Sequence, residues 1–127
     1  MKSKLALGLL SLTLLLGAFT LAMGAEVKVV RIVVVETDNV DRYVKEIERG
    51  KAMLKRLESP AEVRVWKARF AGPQAGTVVV SVEYPSLTAF AKDDAKLAAD
   101  AEYQAWLKGL DKVRKIVSDA LYNELKP

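Results

Sequence analysis

The sequence predicts an α+β fold in the order β-α-β-β-α-β, and three observations predict it. Residues 27–35, VKVVRIVVV, are apolar at both alternating positions, as a strand covered on two sides must be. Beyond them Val40, Tyr43, Val44, Ile47, Leu54 and Leu57 fall three, four or seven apart with Lys, Arg and Glu between, the stripe of an amphipathic helix. Two further strand-like runs then flank a turn rich in Gly and Pro, and after them helical spacing returns.

The elements follow in order. Ahead of the first strand, Lys2 and Lys4 precede an uncharged, leucine-rich run over residues 5–23, and Ala22-Met23-Gly24 puts small residues at the two positions a signal peptidase reads. The reading is a leader over residues 1–24, export to the periplasm or the medium, and a mature domain over residues 25–127. The alternative is an uncleaved anchor, since a run of this length approaches the roughly 20 residues that span a bilayer; only in that form would the chain touch a membrane. Thr37-Asp38-Asn39 supplies N-cap chemistry for the first helix, and Ser59-Pro60 stops it. Residues 62–70 are a second strand with Arg64, Trp66, Ala68 and Phe70 on one face and Val63, Val65, Lys67 and Arg69 on the other. Residues 71–76 are a turn by composition, so the strand over 77–84 returns antiparallel.

Pro85 ends that strand, and Ser86 caps a helix over residues 87–99. Asp100 caps a second helical piece carrying Trp106, Leu107 and Leu110, and residues 113–121 form a fourth strand. Ser118 and Asp119 interrupt it, a polar pair suited to an edge strand that meets a partner chain or must avoid open-ended pairing. Two βαβ halves of this kind build the ferredoxin-like arrangement, one antiparallel sheet with its helices on one face. The other face then shows valines and isoleucines to water, which a monomer rarely tolerates; a homodimer packed sheet to sheet covers them.

Composition narrows the chemistry. The 20 basic and 16 acidic residues include Lys2 and Lys4 of the leader, so the mature chain is nearly balanced, and no basic stripe with interleaved aromatics offers a nucleic-acid surface. Cysteine and histidine are absent. That removes a disulfide framework, Ser-His and Cys-His nucleophiles and the usual transition-metal ligands; no phosphate-cradling glycine pattern occurs either, so no cofactor and no metal are expected. Proton transfer would fall to carboxylate, phenol or amine groups shifted by burial.

Glu83-Tyr84-Pro85-Ser86 at the end of the third strand, followed by Ala101-Glu102-Tyr103-Gln104-Ala105-Trp106, resembles small proteins of the dimeric α/β barrel superfamily, which includes antibiotic-biosynthesis-monooxygenase-like proteins and many domains of unknown function. The resemblance implies a homodimer whose two sheets close a barrel, with a pocket in each subunit between helices and sheet. Relatives there bind haem, oxidise aromatic polyketides without a cofactor, isomerise lactones or have no assigned activity. Members that rely on histidine are not matched here.

Six residues are candidate ligand-binding groups: Arg64, Trp66, Glu83, Tyr84, Tyr103 and Trp106. Arg64 and Trp66 would make a cationic and aromatic wall for an anionic or aromatic ligand, or a core Trp with a snorkelling Arg. Glu83 stands at a pocket mouth as a base or polar anchor, or pairs with Arg64 or Lys67. Tyr84 points to the opposite face from Glu83 and suits packing over the helix start. Tyr103 and Trp106, three apart, cap a pocket or belong to the core. Asp93, Asp94, Asp100 and Glu102 match no calcium loop and read as a solvated helical face. The expected protein is an exported homodimer that binds a small apolar or aromatic molecule. A cofactor-independent monooxygenase or isomerase, and a structural dimer docking an envelope protein, are the alternatives.

Cleavage of the leader is checked by intact mass. The chain recovered from the exported fraction is expected to weigh what residues 25–127 weigh; full-length chain in the membrane fraction would establish the anchor instead.

Overall fold

Valine crowding at Cβ favours extended backbone, and the valine-rich run forms β1 (Val29–Glu36) in the computed structural model, which describes residues 27–126. The leader therefore lies outside the described residues. Asn39 begins α1 (Val40–Arg56) by accepting the Arg42 backbone N–H at 3.0 Å. The helix ends where Glu58 turns to a left-handed φ of 55° and the Ser59 N–H reaches back to the Leu54 carbonyl at 2.9 Å.

The hairpin of β2 (Glu62–Lys67) and β3 (Val78–Tyr84) is shorter than the sequence suggests. Ala68 donates to Thr77 at 3.0 Å and accepts from Gly76 at 2.8 Å, and this closes the ladder before residue 70. Gly76 holds a φ of 90°, open to glycine at no steric cost. Arg69 and Phe70 consequently leave the strand, and Phe70 is fully exposed.

Ser86 caps α2 (Leu87–Ala99) through the Ala89 N–H at 3.0 Å. Asp100 ends that helix and caps α3 (Ala101–Leu110) through the Tyr103 N–H at 2.9 Å. The last strand, β4 (Lys115–Asn123), starts two residues later than expected. Val113 is held in the preceding turn, donating to the Leu110 carbonyl at 2.9 Å and accepting the Thr37 hydroxyl at 2.7 Å.

The four strands form one antiparallel sheet in the order β2-β3-β1-β4, the ferredoxin-like topology. Register opposes Val29, Arg31, Val33 and Val35 of β1 to Tyr84, Val82, Val80 and Val78 of β3. This set faces the helices, and its lower part joins Tyr43, Ile47 and Leu110 in the buried core. The alternate set, Val30, Ile32 and Val34 with Val79, Ser81 and Glu83, lies on the face turned away from that core.

Trp106 of α3 lies against Gly50 of α1 and donates its indole N–H to the Glu46 carbonyl at 3.1 Å. A Cβ added at Gly50 would collide with the six-membered ring of that indole. Gly50→Ala is therefore expected to lower the thermal midpoint. Overpacking costs about 1–3 kcal/mol, which outweighs the gain of about 1 kcal/mol in helix propensity. Thermal unfolding followed by circular dichroism measures the balance.

Candidate functional site

Within the apolar run of β1, Arg31 is the one residue on the helix-facing side that carries a charge. It finds its partner on β4: Nε donates to Asp119 Oδ1 at 2.8 Å and Nη2 to Oδ2 at 2.6 Å, a two-pronged ion pair. The guanidinium holds the Asp119 carboxyl below the usual carboxylate range, and the carboxylate in turn raises Arg31. A carboxylate bound in this way is a poor proton acceptor.

The pair closes one side of a cavity of about 420 Å³ between the helices and the sheet. Val33, Val80 and Val82 supply strand-borne lining, and Leu97, Tyr103 and Trp106 line it from the helices. The Tyr103 and Trp106 rings are 5.3 Å apart and tilted by 49°. Burial pushes the Tyr103 phenol up, with Asp93 and Asp94 adding to the rise and Arg31 and Arg114 opposing it. The group stays neutral at physiological pH, and its hydroxyl makes no hydrogen bond among the described residues.

Arg114, in the loop before β4, also lines the cavity. Nη1 donates to the Tyr43 hydroxyl at 3.0 Å, and Cζ stands 5.9 Å from the centre of the Tyr43 ring, a cation–π contact. Its Nε is enclosed without an acceptor.

Tyr84 lines the cavity too, but its hydroxyl is committed, donating to Asp93 Oδ2 at 2.7 Å. Ser59 donates to the same oxygen at 2.7 Å, and the Tyr84 ring meets Phe90 edge-on with centroids 5.3 Å apart. Burial, then the bond to Asp93, drives the Tyr84 phenol far above its ordinary value. Asp93 corrects the expectation of a solvated acidic face, for it is 2% exposed. It lies between Phe90 and Leu97 at helical spacing, so it points inward, where two hydroxyls satisfy one of its oxygens.

The six sequence candidates divide between the two sheet faces. Tyr84, Tyr103 and Trp106 meet at the cavity. Arg64, Trp66 and Glu83 lie on the opposite face and do not join them. There Glu83 pairs with Lys28 at 3.0 Å and, more distantly, with Arg64 at 3.9 Å, while Arg64 also reaches Glu62 at 3.3 Å. Trp66 donates its indole N–H to Ser81 Oγ at 2.8 Å and leaves half of its surface exposed. Arg31, Asp119 and Arg114 line the cavity without belonging to any of the sequence candidates. The available signal was phase: Arg31 shares the two-residue period of Val29, Val33 and Val35, so a strand covered by helices must bury its stem and find it a counter-charge.

No protein-family model matches the chain, and no curated protein matches it in sequence. Solved structures do match in shape. SnoaB, a cofactor-independent oxygenase from Streptomyces nogalater, is 12% identical with a TM-score of 0.58 over 80% of this chain and 96% of its own. The shared fold is the ferredoxin-like one. A NIPSNAP family protein from Agrobacterium tumefaciens aligns at 19% identity and a TM-score of 0.57 over 79% of this chain and 93% of that one. A dimeric ferredoxin-like protein from an uncultured marine organism aligns at 16% and 0.55 over 80% and 99%.

The lowered Asp119 carboxyl fixes a pH dependence. Its ion pair contributes stability above the unfolded-state value of about 4 and loses it as the pH falls through the lower folded value. Asp100, held down by the Tyr103 N–H and then by Arg56, acts in the same direction. In urea unfolding, Asp119→Asn is expected to be less stable than the parent at pH 7 and to lose less on acidification to pH 3. The residual acid loss belongs in part to Asp100.

Proposed function

We propose that this chain is an exported homodimer, its subunits packed through their open sheet faces, and that each subunit binds a small, largely apolar or aromatic molecule between helices and sheet. The cavity carries the reading: at about 420 Å³ it falls within the roughly 300–1,000 Å³ of small-molecule sites, and valine and aromatic side chains make up much of its lining.

Trp66 supports the dimer. Its only polar group is already bonded to Ser81, so the exposed half of the ring offers apolar area without an unmet donor. The likeness in shape to a dimeric ferredoxin-like protein points the same way.

Cofactor-independent oxidation is the second reading, supported by the likeness in fold to SnoaB. It needs a group to take a proton from the substrate. Asp119 is held by Arg31, the Tyr84 hydroxyl is bound to Asp93, and the other lining carboxylates, Asp94 and Asp111, are exposed to water, so the residues that line the cavity favour holding a molecule over deprotonating it.

Native mass spectrometry of the chain from Ala25 tests the proposal: a dimer carrying a small-molecule mass is expected. A monomer at micromolar concentration would overturn the dimer, and a chain that neither retains a molecule nor takes up an aromatic probe would overturn the binding function. Trp66→Glu is expected to shift the equilibrium to monomer. Oxygen uptake with an aromatic substrate would move the assignment to the oxygenase.

A further inference from the structure

The charged groups around the cavity are not equivalent. Four basic residues line it against three acidic ones. Arg31 and Asp119 cancel in their two-pronged pair, which occupies both oxygens of that carboxylate. Arg114 makes no ion pair among the described residues. Its Nη1 is taken by the neutral hydroxyl of Tyr43, and the edge formed by Nε and Nη2 meets no acceptor among the described residues. Nε on that edge is enclosed, which leaves Nη2 as the donor open to a carboxylate through a charge-assisted N–H bond. A buried donor left without an acceptor is costly, and such a group in a folded protein calls for an explanation.

Tyr103 adds the second observation. It lines the same cavity, senses the charges of both Arg31 and Arg114, and has a hydroxyl without a partner among the described residues. Its phenol is kept protonated by burial, so it remains a donor. A cation would gain little here, since Asp119 is already neutralised and Asp94 and Asp111 are exposed to water. An uncharged hydrocarbon would leave Nη2 of Arg114 unmet.

We infer that the cavity takes a small organic monocarboxylate, its apolar or aromatic body along the valine and Trp106 lining and its carboxylate on Nη2 of Arg114, with Tyr103 donating to the same head group. The inference rests on the proposed binding function and specifies the class of molecule that enters. Arg31 and Asp119 act as positioning residues, their pair shielding Arg114 from a protein carboxylate that would otherwise occupy it.

A matched pair of probes separates the two claims. 2-Naphthoate and 2-naphthamide have nearly the same shape and differ in charge, and isothermal titration of each into the chain from Ala25 reads both affinities. Naphthoate is expected to bind at least about tenfold more tightly than naphthamide, as a charge-assisted hydrogen bond implies. Arg114→Gln is expected to bring the two within about twofold, chiefly through loss of naphthoate affinity. Should that variant fail to fold, Tyr103→Phe, which keeps the ring, is expected to narrow the preference several-fold. Equal binding of the two probes by the parent protein would overturn the anion inference and leave the cavity's binding role standing. Binding of neither at millimolar concentration would overturn both, and a preference undiminished in Arg114→Gln would overturn the assignment to Arg114.

Discussion

The indole of Trp106, seated in the notch that Gly50 leaves in α1, sets how closely α3 approaches α1, and the layer above the sheet is organised around that contact. One turn earlier on α3, Tyr103 reaches the cavity. One turn later, Leu110 enters the core beside Ile47 and Tyr43. The bond from the indole N–H to a helical carbonyl fixes the ring in azimuth as well as depth, so the aromatic lining of the cavity is part of the scaffold. A side chain can in this way belong to the packing and to the site at once.

The period of two along β1 and β3 then separates two chemistries by the thickness of one sheet. Facing the helices are valines, Arg31 and Tyr84; on the other side are valines, Ser81, Glu83 and, from β2, Trp66. Arg31 on the helix side is drawn into a short, two-pronged pair with Asp119. Charges on the open side, such as Glu83 with Lys28, sit in looser pairs near water that contribute little. An ordered polar network therefore marks the enclosed face, and accessible apolar area marks the open one.

Much of the fold was legible because its signals are local. Element order, both caps at Ser86 and Asp100, and the opposite orientations of Glu83 and Tyr84 follow from spacing and capping chemistry. Strand ends were less legible: where β2 stops depends on which carbonyl Gly76 reaches, and where β4 starts on a hydroxyl from Thr37, far away in sequence. The site was half legible. Tyr84, Tyr103 and Trp106 declared themselves as aromatics beside breaks in helix and strand. Arg64 and Trp66 satisfied the same composition rule on the wrong face for this cavity, since side-chain type says nothing about which side of the sheet the helices will cover. Asp93 and Asp119 needed the partner elements, because a carboxylate looks solvated until a hydroxyl or a guanidinium from elsewhere in the chain is seen beside it.

The Arg31–Asp119 pair bears on how the chain finds its alignment. Because β1 is apolar on both sides, sliding it by one residue against its neighbours would exchange one set of valines for another at little hydrophobic cost, and such strands are prone to slippage. That slide would also carry Arg31 through the sheet and strand it away from the only carboxylate held by β4. One ion pair thus penalises a slip of β1 against β4, and it supplies there the uniqueness that a strand of valines cannot encode for itself.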